Sequence, residues 1–286
     1  MGLNRNTIDA LPSVQASLNY LIPGGDKPYR YTYQPPDGVL LDNTVYEPHP
    51  VRIHDAREVA AGMSLDEEGF ALVRHRSAVR SFYDDVEVRK VYYPEAEQLL
   101  AEATGAIKVH VFDHTVRRRA EDRPVLDAGR PGDSGLRGPV GRVHNDFTAN
   151  SAPVRLRLEL GDEAESLRGL RFAVINVWRP IRGPLLDAPL AVCDARSVAH
   201  DDFIASDLIY RDRTGEVYQV RHNPEHRWFY VSALQADEAL LIKGYDSAQD
   251  GRARFAPHSA FEDPTTPADA PPRESIELRA FVFYPD

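Results

Sequence analysis

Apolar and polar positions alternate along this chain in many short runs and take clear helical spacing at one place. Ile107, Val109 and Val111 alternate with Lys108, His110 and Phe112, as in a strand with one face more buried than the other. Runs at 170–178, 208–210, 216–220, 228–231, 239–242 and 275–284 are rich in apolar and aromatic residues, with Pro, Gly, Asp and Asn between them, and each predicts a strand. Between Pro94, which suits a first helical turn, and Gly105, which ends one, Ala96, Leu99, Leu100 and Ala103 form an i, i+3, i+4, i+7 stripe that should pack on a sheet. Residues 1–60 contain Pro12, Pro23, Pro28, Pro35, Pro36, Pro48 and Pro50, too many for long helices, and predict an arm of extended segments wrapping the core. Many short strands favour a closed or two-sheet antiparallel body over a parallel α/β sheet. The expected fold is mainly β with flanking helices around a jelly-roll core, one domain over 1–286 with 1–60 as its arm. Gly129, Pro131, Gly132, Gly135 and Gly138 make 127–138 a surface loop leading to residue 144.

The chain has 286 residues and 42% hydrophobic content, enough to bury a full core. Forty-four acidic against 34 basic residues give a net charge of −10, which argues against nucleic acid or an anionic membrane as a partner. No run of about 18 apolar residues predicts a membrane span, and the polar N-terminus lacks the apolar stretch of a secretory signal. Met1-Gly2 opens like a myristoylation site, but Asn6 stands where Ser or Thr is needed. Cys193 is the single cysteine, so no internal disulfide forms and a cytoplasmic location is expected. Gly-rich phosphate loops and a Gly-x-Ser-x-Gly elbow are absent.

The candidate for chemistry is His144-Asn145-Asp146. In a strand, side chains at i and i+2 share a face with Cα atoms roughly 6.5–7 Å apart, so His144 and Asp146 can grip one ion while Asn145 points away. A bare His-x-Asp is common, but His258 adds a second imidazole. Two histidines and one carboxylate suit non-haem iron(II) and leave metal positions free for oxygen. Later, alternation puts Arg273, Ser275, Glu277 and Arg279 on one face of the last run. A buried guanidinium beside a hydroxyl suits the far carboxylate of a dicarboxylate cosubstrate; the plain alternative is a surface pair of Arg273 with Glu274 or Asp269. Asn176, Trp178, Tyr210, Trp228 and Tyr230 are candidates for the wall of a substrate pocket, with core packing as the other reading of each. His222 and His226 stand four apart, but Asn223-Pro224 opposes the helical turn that a shared metal would need. His110 and His114 read as hydrogen-bonded structural residues. Arg117, Arg118, Arg119 and Arg123 read as a solvated edge or as a contact for an acidic substrate.

Several phrases, in order, carry a family likeness: Tyr92-Tyr93-Pro94-Glu95, Val111-Phe112-Asp113-His114-Thr115, Val143-His144-Asn145-Asp146, Asn176-Val177-Trp178-Arg179-Pro180, His226-Arg227-Trp228, Lys243-Gly244-Tyr245-Asp246, Pro257-His258-Ser259-Ala260-Phe261 and Arg273-Glu274-Ser275. Through them most of the chain resembles the cephamycin 7α-methoxylation hydroxylase and gibberellin-desaturase-like family of iron(II)/2-oxoglutarate-dependent oxygenases. The resemblance implies a double-stranded β-helix core of the cupin-like kind, with His144, Asp146 and His258 as the iron ligands. It also implies Arg273, with Ser275 beside it, at the far carboxylate of 2-oxoglutarate. Because the interval between the last histidine and the arginine varies across the superfamily, Arg279 is the substitute for that role. Asn145 departs from relatives that carry another small or hydrophobic residue there. The implied activity is hydroxylation or desaturation of an unactivated C–H bond in a small secondary metabolite, with molecular oxygen. Two other classes remain compatible with the residues: a metal-dependent jelly-roll enzyme that does not use 2-oxoglutarate, and a non-catalytic small-molecule-binding jelly roll.

Overall fold

The strand-forming runs assemble into two sheets in the computed structural model, which describes residues 5–126 and 137–285. In chain order the strands are β1 (Ser13–Leu21), β2 (Tyr29–Tyr31), β3 (Tyr46–Asp55), β4 (Phe70–Arg74), β5 (Lys108–Arg118), β6 (His144–Asn145) and β7 (Phe172–Pro180). They continue as β8 (Leu190–Cys193), β9 (Phe203–Ile209), β10 (Thr214–Val220), β11 (Trp228–Tyr230), β12 (Glu238–Asp246), β13 (His258–Ala260) and β14 (Glu274–Phe283).

The smaller sheet runs β4-β12-β7-β14-β5 and is antiparallel throughout. Period-two alternation gives it two different faces. Outward, Ala173, Ile175 and Val177 of β7 and Ile276, Leu278, Ala280 and Val282 of β14 pack against Tyr92, Ala96 and Leu100 of the helical segment ending in Tyr93–Thr104. That helix carries Pro94 in its first turn and stops at Gly105, whose φ of 69° is the left-handed form glycine takes without strain. Inward, Trp178, Leu240 and Ile242 meet Leu190, Val192 and Phe229 of the larger sheet, ordered β1-β3-β11-β8-β13-β6-β10-β9-β2. Two curled sheets packed this way, with few helices, form the mainly β jelly roll that the alternation leads one to expect. No described helix is long and apolar enough to cross a membrane.

The first sixty residues reach both edges of the larger sheet. β1 pairs with β3 along its whole length and joins through β3–β11, whereas β2 adds to β9 at the far edge. Asn19 on β1 also fixes the approach to residue 144: its Nδ2 donates to Gly141 O at 2.6 Å, and its carbonyl accepts from Val143 N at 2.9 Å. Gly141 has no room for a side chain, since a Cβ there would lie 2.4 Å from Leu126 Cβ. We expect Gly141→Ala to cost about 1–3 kcal/mol of stability by overpacking, read as a lower urea midpoint.

Four elements depart from the alternation pattern. The helix Ser151–Leu160 buries Ala152 and Leu156 but exposes Val154 and Leu158, so apolar residues on both sides erase its stripe. β8 and the two-residue β6 lie within stretches that carry no alternation of their own. β5 continues past Phe112 to Arg118 because its polar residues Thr115 and Arg117 pair in register with Glu277 and Ser275 of β14. Of the loop expected at 127–138, residues 127–136 lie outside the described residues.

Candidate metal centre

His144 and His258 meet because their strands are neighbours. β13 pairs with β6 at the single register His258↔His144, and the two rings face each other with centroids 4.6 Å apart. Asp146 follows at i+2, and one ligand atom from each of the three side chains lies within 4.8 Å of the others. Asn145 points away, its Nδ2 donating to the carbonyls of Phe147 (2.7 Å) and Gly244 (2.8 Å). The i, i+2 spacing and the long-range strand pairing thus bring the three side chains to one point.

The donor chemistry fits a divalent metal. Each histidine places Nδ1 against a backbone carbonyl, Arg142 O at 2.9 Å for His144 and Ala256 O at 3.1 Å for His258. A carbonyl only accepts, so Nδ1 carries the proton and Nε2 keeps a free lone pair in both rings. Burial, reinforced by the neighbouring His258, pushes the His144 imidazole down to about 3, so it stays neutral, as a metal ligand must. Burial alone would raise Asp146, but Arg279, His258 and His144 bring it well below the usual carboxylate range. Its Oδ2 accepts from Asn176 Nδ2 and Arg279 Nε, each at 2.8 Å, while Oδ1 lies 3.6 Å from His144 Nε2. One carboxylate oxygen is thus tied down and the other turned towards the histidines.

Behind Asp146 lies a buried polar network. Arg279 also donates to Asp113 Oδ1 (3.1 Å) and Glu277 Oε2 (2.9 Å), and Asn176 Nδ2 reaches Glu277 Oε1 (2.8 Å). Burial alone would push the Arg279 guanidinium down, yet Asp146, Glu277 and Asp113 hold it well above its ordinary value. Arg273 differs. It is 2% exposed, its Nε donates to Ser275 Oγ (3.1 Å), one terminal nitrogen donates to Ala188 O (2.8 Å), and its guanidinium lies 4.8 Å from the centre of the Trp178 ring. No described carboxylate pairs with it, and burial, with Arg117 nearby, pushes it down to about 9. The surface pairing with Glu274 or Asp269 that remained open for Arg273 does not occur among the described residues.

A cavity of about 1180 Å³ opens in front of His144, Asp146 and Arg279. Tyr210 lines it; Asn176 stands one step back against Asp146, and Trp178 lies in the core beneath Arg273. Trp228 and Tyr230 are elsewhere, on the opposite face of β11, packed with Tyr20 and Phe261; Trp228 Nε1 donates to Tyr20 OH at 2.8 Å. Alternation puts 228 and 230 on one face, but only the sheet decides which face that is. Asp113 and Glu277, which fix Arg279, were not singled out as site residues in the sequence, although Glu277 shares the alternating face of Arg273 and Arg279. Of the other histidines, His226 touches Tyr20 OH and Asp202, His222 stacks on His49 at 3.8 Å, and His114 meets Tyr93 OH. Cys193 is buried, which pushes its thiol up to about 12 and leaves it inert.

Six histidines (His54, His75, His114, His144, His222 and His226) are held below their ordinary value, with burial the leading cause in each. The unfolded chain therefore takes up protons near pH 6.5 that the folded protein refuses, and stability falls as pH drops through that value and on towards the lower folded ones. We expect the urea midpoint of the metal-free protein to decline from pH 7 to pH 5; a flat profile over that window contradicts the buried neutral histidines.

Known proteins match the chain along nearly its whole length. A family model described as an oxidoreductase/YMDC permease-like domain covers residues 18–283. The hydroxylase/desaturase efuI of Hormonema carpetanum is 35% identical over 96% of this chain and 96% of its own length. The hydroxylase/desaturase CTB9 of Cercospora beticola is 38% identical over 91% of this chain and 87% of its own. Among solved structures, the iron and alpha-ketoglutarate-dependent endoperoxidase NvfI superposes with a TM-score of 0.84 at 30% identity, covering 96% of this chain and 99% of that one. A dioxygenase-type ligand triad, a jelly-roll fold and relatives of this kind agree: the chain belongs to the family of iron(II)- and 2-oxoglutarate-dependent hydroxylases and desaturases.

Proposed function

We propose that His144, Asp146 and His258 hold the iron, that Arg273 with Ser275 receives the far carboxylate of 2-oxoglutarate, and that the cavity in front of His144 and Asp146 takes a small natural product for C–H hydroxylation or desaturation. The observation that carries this reading is the convergence of the three ligand atoms within 4.8 Å. When bound, iron and 2-oxoglutarate supply the oxidising power, with oxygen as co-reactant and succinate and carbon dioxide as by-products. The chain supplies the rest. Arg279 and Asn176 hold Asp146 charged and oriented, the backbone carbonyls of Arg142 and Ala256 keep the Nδ1 protons on the two imidazoles, and burial around His144 and His258 excludes water. Arg279 is fully engaged with three carboxylates, whereas Arg273 has none, which supports Arg273 over Arg279 for the cosubstrate.

Within the family, the phrases around His144 and His258 favour the branch resembling the cephamycin 7α-methoxylation hydroxylase and the gibberellin desaturases. The chain would act in the cytoplasm as one oxygenase domain with 1–60 as its arm. The test is coupled succinate formation: oxygen-dependent release of succinate from 2-oxoglutarate supports the reading, and turnover of an organic substrate without oxygen or succinate overturns it. Asn176→Ala, which leaves Asp146 with only Arg279 behind it, should weaken iron(II) by roughly 10–100-fold, measured by anaerobic titration.

A further inference from the structure

The arginine run at 117–123 divides into separate tasks. Arg118 pairs with Glu121 at the surface, Arg119 is buried against Asp187 and Glu262, and Arg123 donates to Ala270 O. Arg117 instead lines the cavity, its one terminal nitrogen held by Gly138 O at 2.9 Å. Across from it in a parallel β-bridge stands Arg137, which lines the same cavity. Among the described residues, neither guanidinium has a carboxylate within ion-pair distance. Like charges placed opposite each other across strands destabilise a sheet, so this pairing is a cost that an anion between the two would offset. The wall as a whole carries seven arginines against four carboxylates, a positive excess in a chain of net charge −10. The wall also carries the apolar side chains of Leu41, Val154 and Leu158, with Val154 45% and Leu158 62% exposed on the helix.

We propose that Arg117 and Arg137 form a two-guanidinium clamp that selects a primary substrate bearing a carboxylate, whose apolar body lies against Leu41, Val154 and Leu158. The inference rests on the oxygenase reading above and adds the substrate class. Arg273, the residue assigned to 2-oxoglutarate, is not part of the cavity wall, so the clamp is left for the second organic ligand.

The test uses the whole protein, saturated anaerobically with iron(II) and 2-oxoglutarate, and four probes: 2-naphthoate, 2-naphthamide, decanoate and decanamide. Calorimetry should find each acid bound at least roughly tenfold tighter than its uncharged amide. Arg117→Met and Arg137→Gln should each remove that preference, and Arg117→Lys should retain part of it. Arg137 is exposed, so its variant folds irrespective of any effect at the buried end. The inference is overturned when acids and amides bind alike in the unaltered protein, including the case in which none binds, or when the preference survives in both variants. It is equally overturned when the variants weaken 2-oxoglutarate itself and leave the acid preference intact, which would give the clamp to the cosubstrate. Failure of the oxygenase reading is seen separately and earlier, as a protein that takes up neither iron nor 2-oxoglutarate before any probe is added.

Discussion

Asp146→Ala abolishes iron binding and succinate formation together while leaving a folded protein. Among the described residues, its Oδ1 is the only carboxylate oxygen turned towards the two imidazoles, and Oδ2 is held back by Asn176 and Arg279. Without it the site retains two neutral nitrogens, too few and too weakly donating to keep ferrous iron in competition with water. Losing an outer partner of a ligand typically costs about 10–100-fold in affinity, and losing the ligand itself exceeds that range. Arg279 keeps Asp113 and Glu277 as partners, so its charge is not stranded and the fold survives. The check is iron per chain after anaerobic loading, alongside succinate release. Iron content equal to that of the unaltered protein would remove Asp146 from the site.

The second large effect separates Arg273, just before β14, from Arg279 within it, and it is read in stability and in cosubstrate affinity. Arg279→Met strands Asp146, Glu277 and Asp113 around a neutral side chain. Breaking a buried pair by deleting one partner costs about 3–5 kcal/mol, and for a domain of this size each kcal/mol lowers the melting temperature by about 2–4 °C. Arg273→Met does the opposite to the metal-free protein. That cation has no carboxylate partner and burial already pushes it down to about 9, so an apolar side chain of similar length relieves a desolvation cost. The melting temperature of Arg273→Met should match or exceed the parent. Its affinity for 2-oxoglutarate should fall by roughly 10–150-fold, the loss of one charge-assisted contact. Two melting curves and one titration decide the matter. If Arg273→Met melts far below the parent and binds 2-oxoglutarate normally, the roles are reversed.

Why the sequence could not separate these arginines follows from the geometry. Period-two alternation places 273, 275, 277 and 279 on one face, and local pattern stops there. What distinguishes Arg279 is Asp146, from the end of β6, and Asp113, from β5, both more than a hundred residues away in the chain. The triad was named whole in the sequence, but by two routes: His144 and Asp146 follow from i, i+2 spacing, whereas His258 came with the family phrase Pro257-His258-Ser259, and only strand order sets it opposite His144. The helix ending at Gly105 was readable because its apolar stripe faces one way, and the strands because their apolar runs are bounded by Pro, Gly, Asp and Asn. The helix Ser151–Leu160 was not, because Val154 and Leu158 face the cavity mouth rather than the core, which is also why they bear on substrate choice. Trp228 and Tyr230 show the same limit in a strand, since an aromatic side chain suits a pocket wall and a core equally well until the sheet fixes its face.

Three side chains sharing one ferrous ion that also chelates a 2-oxo acid is the central claim. Anaerobic titration of iron(II) and 2-oxoglutarate, followed by the visible charge-transfer absorption of an iron(II)–2-oxo acid chelate, tests this in one experiment. The expected result is a band that saturates at a single iron per chain, vanishes in His258→Ala, and needs far more 2-oxoglutarate in Arg273→Met. A folded parent protein that develops no band, or a band that persists undiminished in His258→Ala, would contradict it.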